Sequence, residues 1–264
     1  MQKQKNKKNI FGGHRMLLAG VLCLFGFCLL AQKPIQNRKQ KVQTDTTKVQ
    51  KAPATAPQKQ PAKSKVYLIH SDLLRKDSRH PDAQVVVGNV VFRHDSVYMY
   101  CDSAYYYDKI SSFEAFSNVK MNQGDTLFLY GDRLYYDGNT QIAEVRMNVR
   151  MENRNTTLLT DSLNYDRVYN LGYFFDGGTL MDEQNVLTSE WGQYNPGTKQ
   201  SVFNYNVKLV NPQFTLTSDT LEYNTASKIA NIVGPSDILS DNNHIYSEKG
   251  TYNTVTGKAY LLDR

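Results

Sequence analysis

The stretch Leu158–Arg167, LLTDSLNYDR, decides how the rest of the chain is read. It sets an acid, Asp161, four residues before a tyrosine, Tyr165, with Asp166 directly after. YGDRLYYDG around Asp132 and LTSDTLEYNT around Asp219 repeat the arrangement. With the acid as anchor the series runs Asp102, Asp132, Asp161, Glu190, Asp219 and Glu248, at intervals of 30, 29, 29, 29 and 29. Tyr106, Tyr136, Tyr165, Tyr194, Tyr223 and Tyr252 each follow their acid by four. A degenerate copy begins at Asp72, where Lys76 stands in the tyrosine position. A fixed period of this length marks a repeat architecture, in which no unit buries its apolar face alone and stacking builds a continuous core.

A second column keeps the same phase: Asn89, Asn118, Asn148, Gly177, Asn206 and Pro235, all turn-prone residues. Beyond it, pairs such as Val90/Phe92, Val119/Met121, Val149/Met151 and Val207/Leu209 flank a residue that is often polar, as with Lys120, Arg150 and Lys208. That alternation describes a strand with one buried and one wet face. Met99, Leu129, Leu158, Leu187, Leu216 and Ile245 stand three residues before the acids, and Ala104, Leu134, Leu163, Gly192, Leu221 and Gly250 two after them. The apolar phase slips at the acid, which calls for a bend or bulge there. YYDGNTQIA and YNPGTKQSV carry the Asn, Gly and Pro of hairpin turns. No helical period is sustained in residues 66–264. The expected fold is all-β, a solenoid-like stack of repeats of about 29 residues. Counting one strand layer per unit, its length is on the order of 30 Å.

The remainder of the chain is of another kind. Residues 1–65 hold fourteen Lys/Arg and one acid, Asp45, out of 31 basic and 25 acidic residues in all. The first quarter is therefore about +13 (14 − 1) and the rest about −7 (17 − 24). The basic character belongs to the tail, and nucleic-acid binding by an acidic body is disfavoured. MQKQKNKKNIFGGHR followed by MLLAGVLCLFGFCLLA, Met16–Ala31, reads as a signal peptide or an N-terminal membrane anchor spanning 1–31. Residues 32–65, rich in Lys, Gln, Pro, Ala and Thr and without aromatic residues, read as a disordered basic linker. Residues 66–264 form the domain. Cleavage after Ala31 would remove Cys23 and Cys28 and leave Cys101 alone, so no intramolecular disulfide is expected.

Chemistry finds little purchase. Catalysis by clustered acids needs two carboxylates at one defined place, whereas these recur once per unit with equal spacing. Capping of turn amides or contact with solvent fits such a column better. The histidines fall in scattered phases with no nucleophile motif beside them, and no Cys/His cluster or phosphate-cradling loop occurs. No metal and no cofactor is expected. Cys101 shares a small-residue column with Gly131, Thr160, Ser189, Ser218 and Ser247 and reads as a core residue. Trp191 reads as an aromatic lying over a neighbouring strand, with contact to a partner as the alternative. The inward columns mix Met, Phe and Gly, which suits either a filled core or a partly open groove for acyl chains.

YGDRLYYDGNTQIAEVRMNVRM, LTDSLNYDR and LTSDTLEYNTASKIANIVG resemble the OstA-like family, the lipopolysaccharide-transport proteins that include LptA and the N-terminal domain of LptD. The resemblance extends over Val66–Arg264. It implies an open, twisted β-jelly roll, non-enzymatic, whose apolar interior takes lipid acyl chains while sugars stay outside. On that basis the lipid-binding groove would be lined by Phe92, Met99, Val119, Met121, Leu129, Leu134, Val149, Met151, Leu158, Leu163, Leu180, Leu187, Leu209, Leu216 and Leu221. Lipopolysaccharide or another acylated lipid would be the ligand. Other transport components would join by edge-to-edge strand addition, and copies of the chain head to tail. The location would be periplasmic, tethered to the inner membrane or associated with the outer one. The rival readings are a structural or adhesive scaffold with a fully packed core and a polysaccharide-active enzyme.

Overall fold

The computed structural model describes residues 64–240 and 243–262. The leader 1–31 and the linker up to residue 63 lie outside them. The chain divides into two units, Met1–Pro57 and Gln58–Arg264, and every described residue belongs to the second.

That unit is one antiparallel sheet of 19 strands. Two short strands, β1 (Tyr67–His70) and β2 (Leu73–Asp77), precede six long ones: β3 (His80–His94), β4 (Val97–Tyr107), β5 (Ser112–Gln123), β6 (Leu127–Asp137), β7 (Ile142–Asn153) and β8 (Thr156–Asp166). The next two are each broken in the middle, giving β9 (Leu171–Phe174) with β10 (Gly178–Asp182) and β11 (Asn185–Ser189) with β12 (Trp191–Tyr194). β13 (Gln200–Asn211) and β14 (Phe214–Asn224) are again continuous. β15 (Ile229–Ile232), β16 (Ser236–Ser240), β17 (Asn243–Ser247), β18 (Lys249–Asn253) and β19 (Ala259–Leu262) follow.

Every long strand is creased near its centre. Phe116 faces Arg133 and Val119 faces Gly131, which leaves Ser117 and Asn118 on β5 opposite the single residue Asp132 on β6. Ser117 and Asn118 have φ of 62° and 51°, and the pairs Gly88/Asn89, Met147/Asn148 and Tyr205/Asn206 are left-handed likewise. Two residues against one form a bulge that bends the strand, and asparagine is among the few side chains that tolerate the left-handed region. The turn-prone column of the sequence is this crease. Where a proline occupies it, at Pro235, there is no N–H for the ladder, and the strand divides into β15 and β16.

The crease folds the sheet into two arms that face each other. One carries the repeated tyrosines and runs β2, β3, β4, β5, β6, β7, β8, β9, β12, β13, β14, β15, β18, β19; we call it the tyrosine arm. The methionine arm runs β1, β3, β4, β5, β6, β7, β8, β10, β11, β13, β14, β16, β17. Each repeat thus supplies two strands to each arm, one outward and one returning, rather than a single coil. At ~4.8 Å between neighbours each arm extends roughly 60 Å, about twice the length expected from one layer per unit.

The outer turns of the tyrosine arm explain the Asp or Asn that follows each repeated tyrosine from Tyr136 onward. Asp166 Oδ1 accepts from the amides of Val168 (2.8 Å) and Tyr169 (3.1 Å), and Asn195, Asn224 and Asn253 cap their turns the same way. These are Asx turns. They also stack on one another: Thr225 N donates to Lys199 O at 3.0 Å, and Thr254 N to Lys228 O at 2.9 Å.

Candidate functional site: an apolar interior and its polar seam

Two cross-strand rows line the space between the arms. In the methionine arm Phe92, Met99, Met121, Leu129, Met151, Leu158, Leu180, Leu187, Leu209, Leu216, Ile238 and Ile245 pair successively from strand to strand. In the tyrosine arm the repeated tyrosines alternate with Ala143, Gly172, Ser201, Ala230 and Ala259. A small residue thus stands beside each ring from Tyr136 onward, whereas Tyr106 has Gln84 and Phe113 as its neighbours. The arms touch. A Cβ built on Gly172 would meet Met151 Sδ, from the opposite arm, at 3.1 Å. At the N-terminal end Phe92 and Phe113 stack at 4.0 Å across the gap.

All fifteen residues expected to line a groove face this interior, and none is more than 3% exposed. The partly open trough that their composition allowed is not what the structure contains: the space is filled by its own side chains. Two cavities lie elsewhere, one of about 740 Å³ beside β18 and β19 and one of about 530 Å³ at the crease near Asp161 and Gly177. Jelly-roll arms with a crease are present, but their free tips have come together.

What holds the tips is a row of polar side chains that the sequence reading did not single out. His94, Gln123, Asn153, Asp182 and Asn211 point inward at the tip of the methionine arm, 29, 30, 29 and 29 residues apart. Each of the first four meets the hydroxyl of a repeated tyrosine or a turn residue of the opposite arm, or both. Tyr136 OH donates to His94 Nδ1 at 2.6 Å, and Arg167 donates to the tyrosine oxygen at 2.5 Å and to His94 Nδ1 at 3.1 Å. Nδ1 therefore accepts, and the neutral ring carries its proton on Nε2. Burial, then the charge of Arg167, holds the imidazole pKa below its ordinary value. Gln123 donates to Asn170 Oδ1 at 2.7 Å, which also accepts from Tyr165 OH at 3.2 Å. Lys199 and Tyr194 both donate to Asn153 Oδ1, the latter at 3.4 Å. Asp182, 1% exposed, takes Lys228 Nζ on both oxygens at 2.7 and 2.8 Å and Tyr223 OH at 2.7 Å. Burial raises the phenols, Tyr136 and Tyr165 to about 12, so they remain donors at any physiological pH.

The acid column does structural work at the crease. Asn118 Nδ2 donates to Asp102 at 2.7 Å, Asn148 Nδ2 to Asp132 at 2.5 Å, and Asn206 Nδ2 to Glu190. Each carboxylate secures the left-handed asparagine of the next strand, 16 residues on. Asp102→Ala, Asp132→Ala and Glu190→Ala should each lower the unfolding free energy by a similar, small amount, about 0.5–1 kcal/mol by urea titration. A catalytic pair would instead show up as one or two positions whose loss is out of line with the rest. Cys101 is buried in the core, which pushes its thiol up to about 12 and leaves it unreactive. Trp191 is half-buried on β12 opposite Asn204.

The OstA-like protein family matches this chain over residues 63–219 and again over 213–264, which together span the whole creased sheet. The chain belongs to the OstA-like family. Among solved structures, this OstA-like protein is similar to LptH of Pseudomonas aeruginosa, the periplasmic LptA homologue of a lipopolysaccharide transport device. The two are 10% identical with a TM-score of 0.36, covering 52% of this chain and 94% of that one. No curated protein matches the chain. The two family matches overlap at residues 213–219, at the start of β14.

Proposed function

We propose that this OstA-like domain is a non-catalytic, extracytoplasmic lipid-binding module. It carries or bridges lipopolysaccharide, or another acylated lipid, between the inner and outer membranes. The observation that carries the reading is the nature of the closure. Among the described residues, every bond across the seam involves at least one side chain, and no strand pairing joins the two arm tips. The interior behind it is a continuous apolar row along the whole sheet.

Magnitudes favour an interior that can exchange its contents. A neutral latch contributes a net ~1 kcal/mol, and one with a charge about 1.5–3. Burying one methylene gives ~0.8 kcal/mol, so a fatty chain of about a dozen carbons offsets several latches. Methionines at positions 99, 121 and 151 suit the adjustment, being unbranched and tolerant of new neighbours. A periplasmic location follows, with the N-terminal segment as a cleaved leader or an inner-membrane tether. The outermost strands expose Tyr67, Ile69, Leu73 and Leu74 at one end and Tyr260 and Leu262 at the other. These free edges suit strand addition by other transport components or by a second copy head to tail.

The filled interior also supports a second reading, a scaffold whose core never opens. A photo-crosslinking residue placed at Met121, Leu158 or Leu187 of the full-length, membrane-extracted protein separates them. Adducts whose mass includes lipopolysaccharide support the carrier. Absence of any lipid adduct at all three positions, in cells making lipopolysaccharide, would leave the scaffold.

A further inference from the structure

Behind the apolar interior, each strand of the methionine arm turns a second set of side chains outward. Over its first strands Arg93, Tyr98, Asn122, Phe128 and Glu152 form one outward row, and Val91, Tyr100, Lys120, Tyr130 and Arg150 the next. Tyr67 on β1 pairs with Arg93 and carries the first row to the edge of the sheet. From β1 to β7 the patch is roughly 25 Å across. Its cations lie over its rings: Arg93 stands 5.9 Å from the centre of Tyr67, and Arg150 4.3 Å from that of Tyr130. Lys120 sits between two, 5.4 Å from Phe128 and 5.8 Å from Tyr130. Arg150 also pairs with Glu152, but among the described residues neither Arg93 nor Lys120 has a carboxylate partner. The outer face of the tyrosine arm is aromatic too, with Phe116 and Tyr135, yet its arginines are neutralised, Arg133 by Glu114 and Arg146 by Glu144. Residues 66–264 carry about −7 in all (17 − 24), so the cationic patch runs against the charge of its own domain.

We propose that this outward face is a docking surface for the anionic head groups of a lipid bilayer. Tyrosine suits the boundary between hydrocarbon and water, having an apolar ring and a polar hydroxyl. Lysine and arginine lay their methylenes along such rings and hold their charge out toward phosphate. Attraction to an anionic surface fades within a Debye length, so cations set side by side on one sheet face act together where scattered ones would not. The rest of the chain favours a membrane over a soluble partner. Residues 32–65 hold nine Lys/Arg and one acid, Asp45, and lead directly into β1, the strand that bears Tyr67. Linker and patch thus offer the same charge to one surface, and the apolar run Met16–Ala31 stands upstream of both. An acidic body is repelled by that surface everywhere else, so the patch decides which face turns toward it. The proposal stands apart from the carrier reading, since a scaffold with a permanently filled core would dock in the same way.

Photo-crosslinking in the full-length protein tests it, with p-benzoylphenylalanine at position 98 on the patch or at position 135 on the outer face of the tyrosine arm. Tyr98 and Tyr135 are 38% and 39% exposed, so exposure alone does not separate them. On vesicles containing phosphatidylglycerol, position 98 should form lipid adducts and position 135 few. On vesicles of phosphatidylcholine alone the yield at position 98 should drop. Arg93→Gln and Lys120→Gln should each lower that yield about fivefold, the effect of one cation near a charged surface. Glu152→Gln, which removes the acid of the patch, should raise it. All three changes leave the linker as it is, so they report on the patch itself. Equal yields at positions 98 and 135 overturn the docking surface. So does a yield indifferent to phosphatidylglycerol or to the paired Arg93→Gln, Lys120→Gln variant, or adducts at position 98 that carry protein rather than lipid. None of these results bears on the interior, which crosslinks at Met121, Leu158 and Leu187 probe separately.

Discussion

Lys228→Met should lower the unfolding free energy by about 3–5 kcal/mol, among the largest effects available to a single substitution outside the apolar core. Asp182 is almost wholly buried and its carboxylate is satisfied by Lys228 on both oxygens and by Tyr223 OH. Methionine keeps the aliphatic stem but removes the charge, so a carboxylate is left in the seam with one neutral donor. For a domain of this size the loss corresponds to a fall of roughly 10 °C in Tm. The double variant Asp182→Asn, Lys228→Met should regain most of it, because an amide still accepts from the tyrosine and no charge is stranded. Thermal unfolding of the three proteins gives the comparison. A Lys228→Met protein within about 1 kcal/mol of the parent would mean that the pair is hydrated, and that the seam stands open in solution.

The second large effect concerns the interior itself. Leu158→Ala, Leu187→Ala and Leu216→Ala should each cost about 2–5 kcal/mol by urea titration. These leucines occupy one column of the methionine arm, are at most 1% exposed, and touch apolar partners on both neighbouring strands. Truncation removes buried methyl groups and leaves a hole that a sheet fixed by ladders on both sides collapses into poorly. If the arms stood apart and the leucines faced a water-filled trough, the same substitutions would cost about 0.5 kcal/mol or less. The measurement therefore distinguishes a closed resting state from an open one without any lipid in the cuvette. It also sets the scale for transport, since whatever enters must replace these contacts with its own.

Much of the fold was legible in the chain because its signals are local. The crease is written as a turn-prone residue with an acid 16 positions before it, and both are needed where a strand must turn through left-handed backbone. The inward columns are written as alternation, since side chains on a strand change face at every step. The tyrosines recur in one column, and Ala143, Gly172, Ser201, Ala230 and Ala259 keep the same period beside those from Tyr136 onward. The OstA-like resemblance followed from the same repetition.

The seam was hidden for a different reason. His94, Gln123, Asn153 and Asp182 are chemically unlike one another, so their column has a period but no residue signature. Their partners lie 41 to 73 residues away on the other arm. Estimating one strand layer per unit failed likewise, because period alone does not say whether a unit passes through an arm once or twice.

The amino-acid sequence by itself determined that this is an all-β stack, where each strand bends, and which side chains turn inward. Whether the two inward faces meet or stand apart was decided only in three dimensions. Alternation within a strand reports which face leaves water, but closure depends on how far the crease folds and on side-chain volumes contributed by residues more than one repeat away.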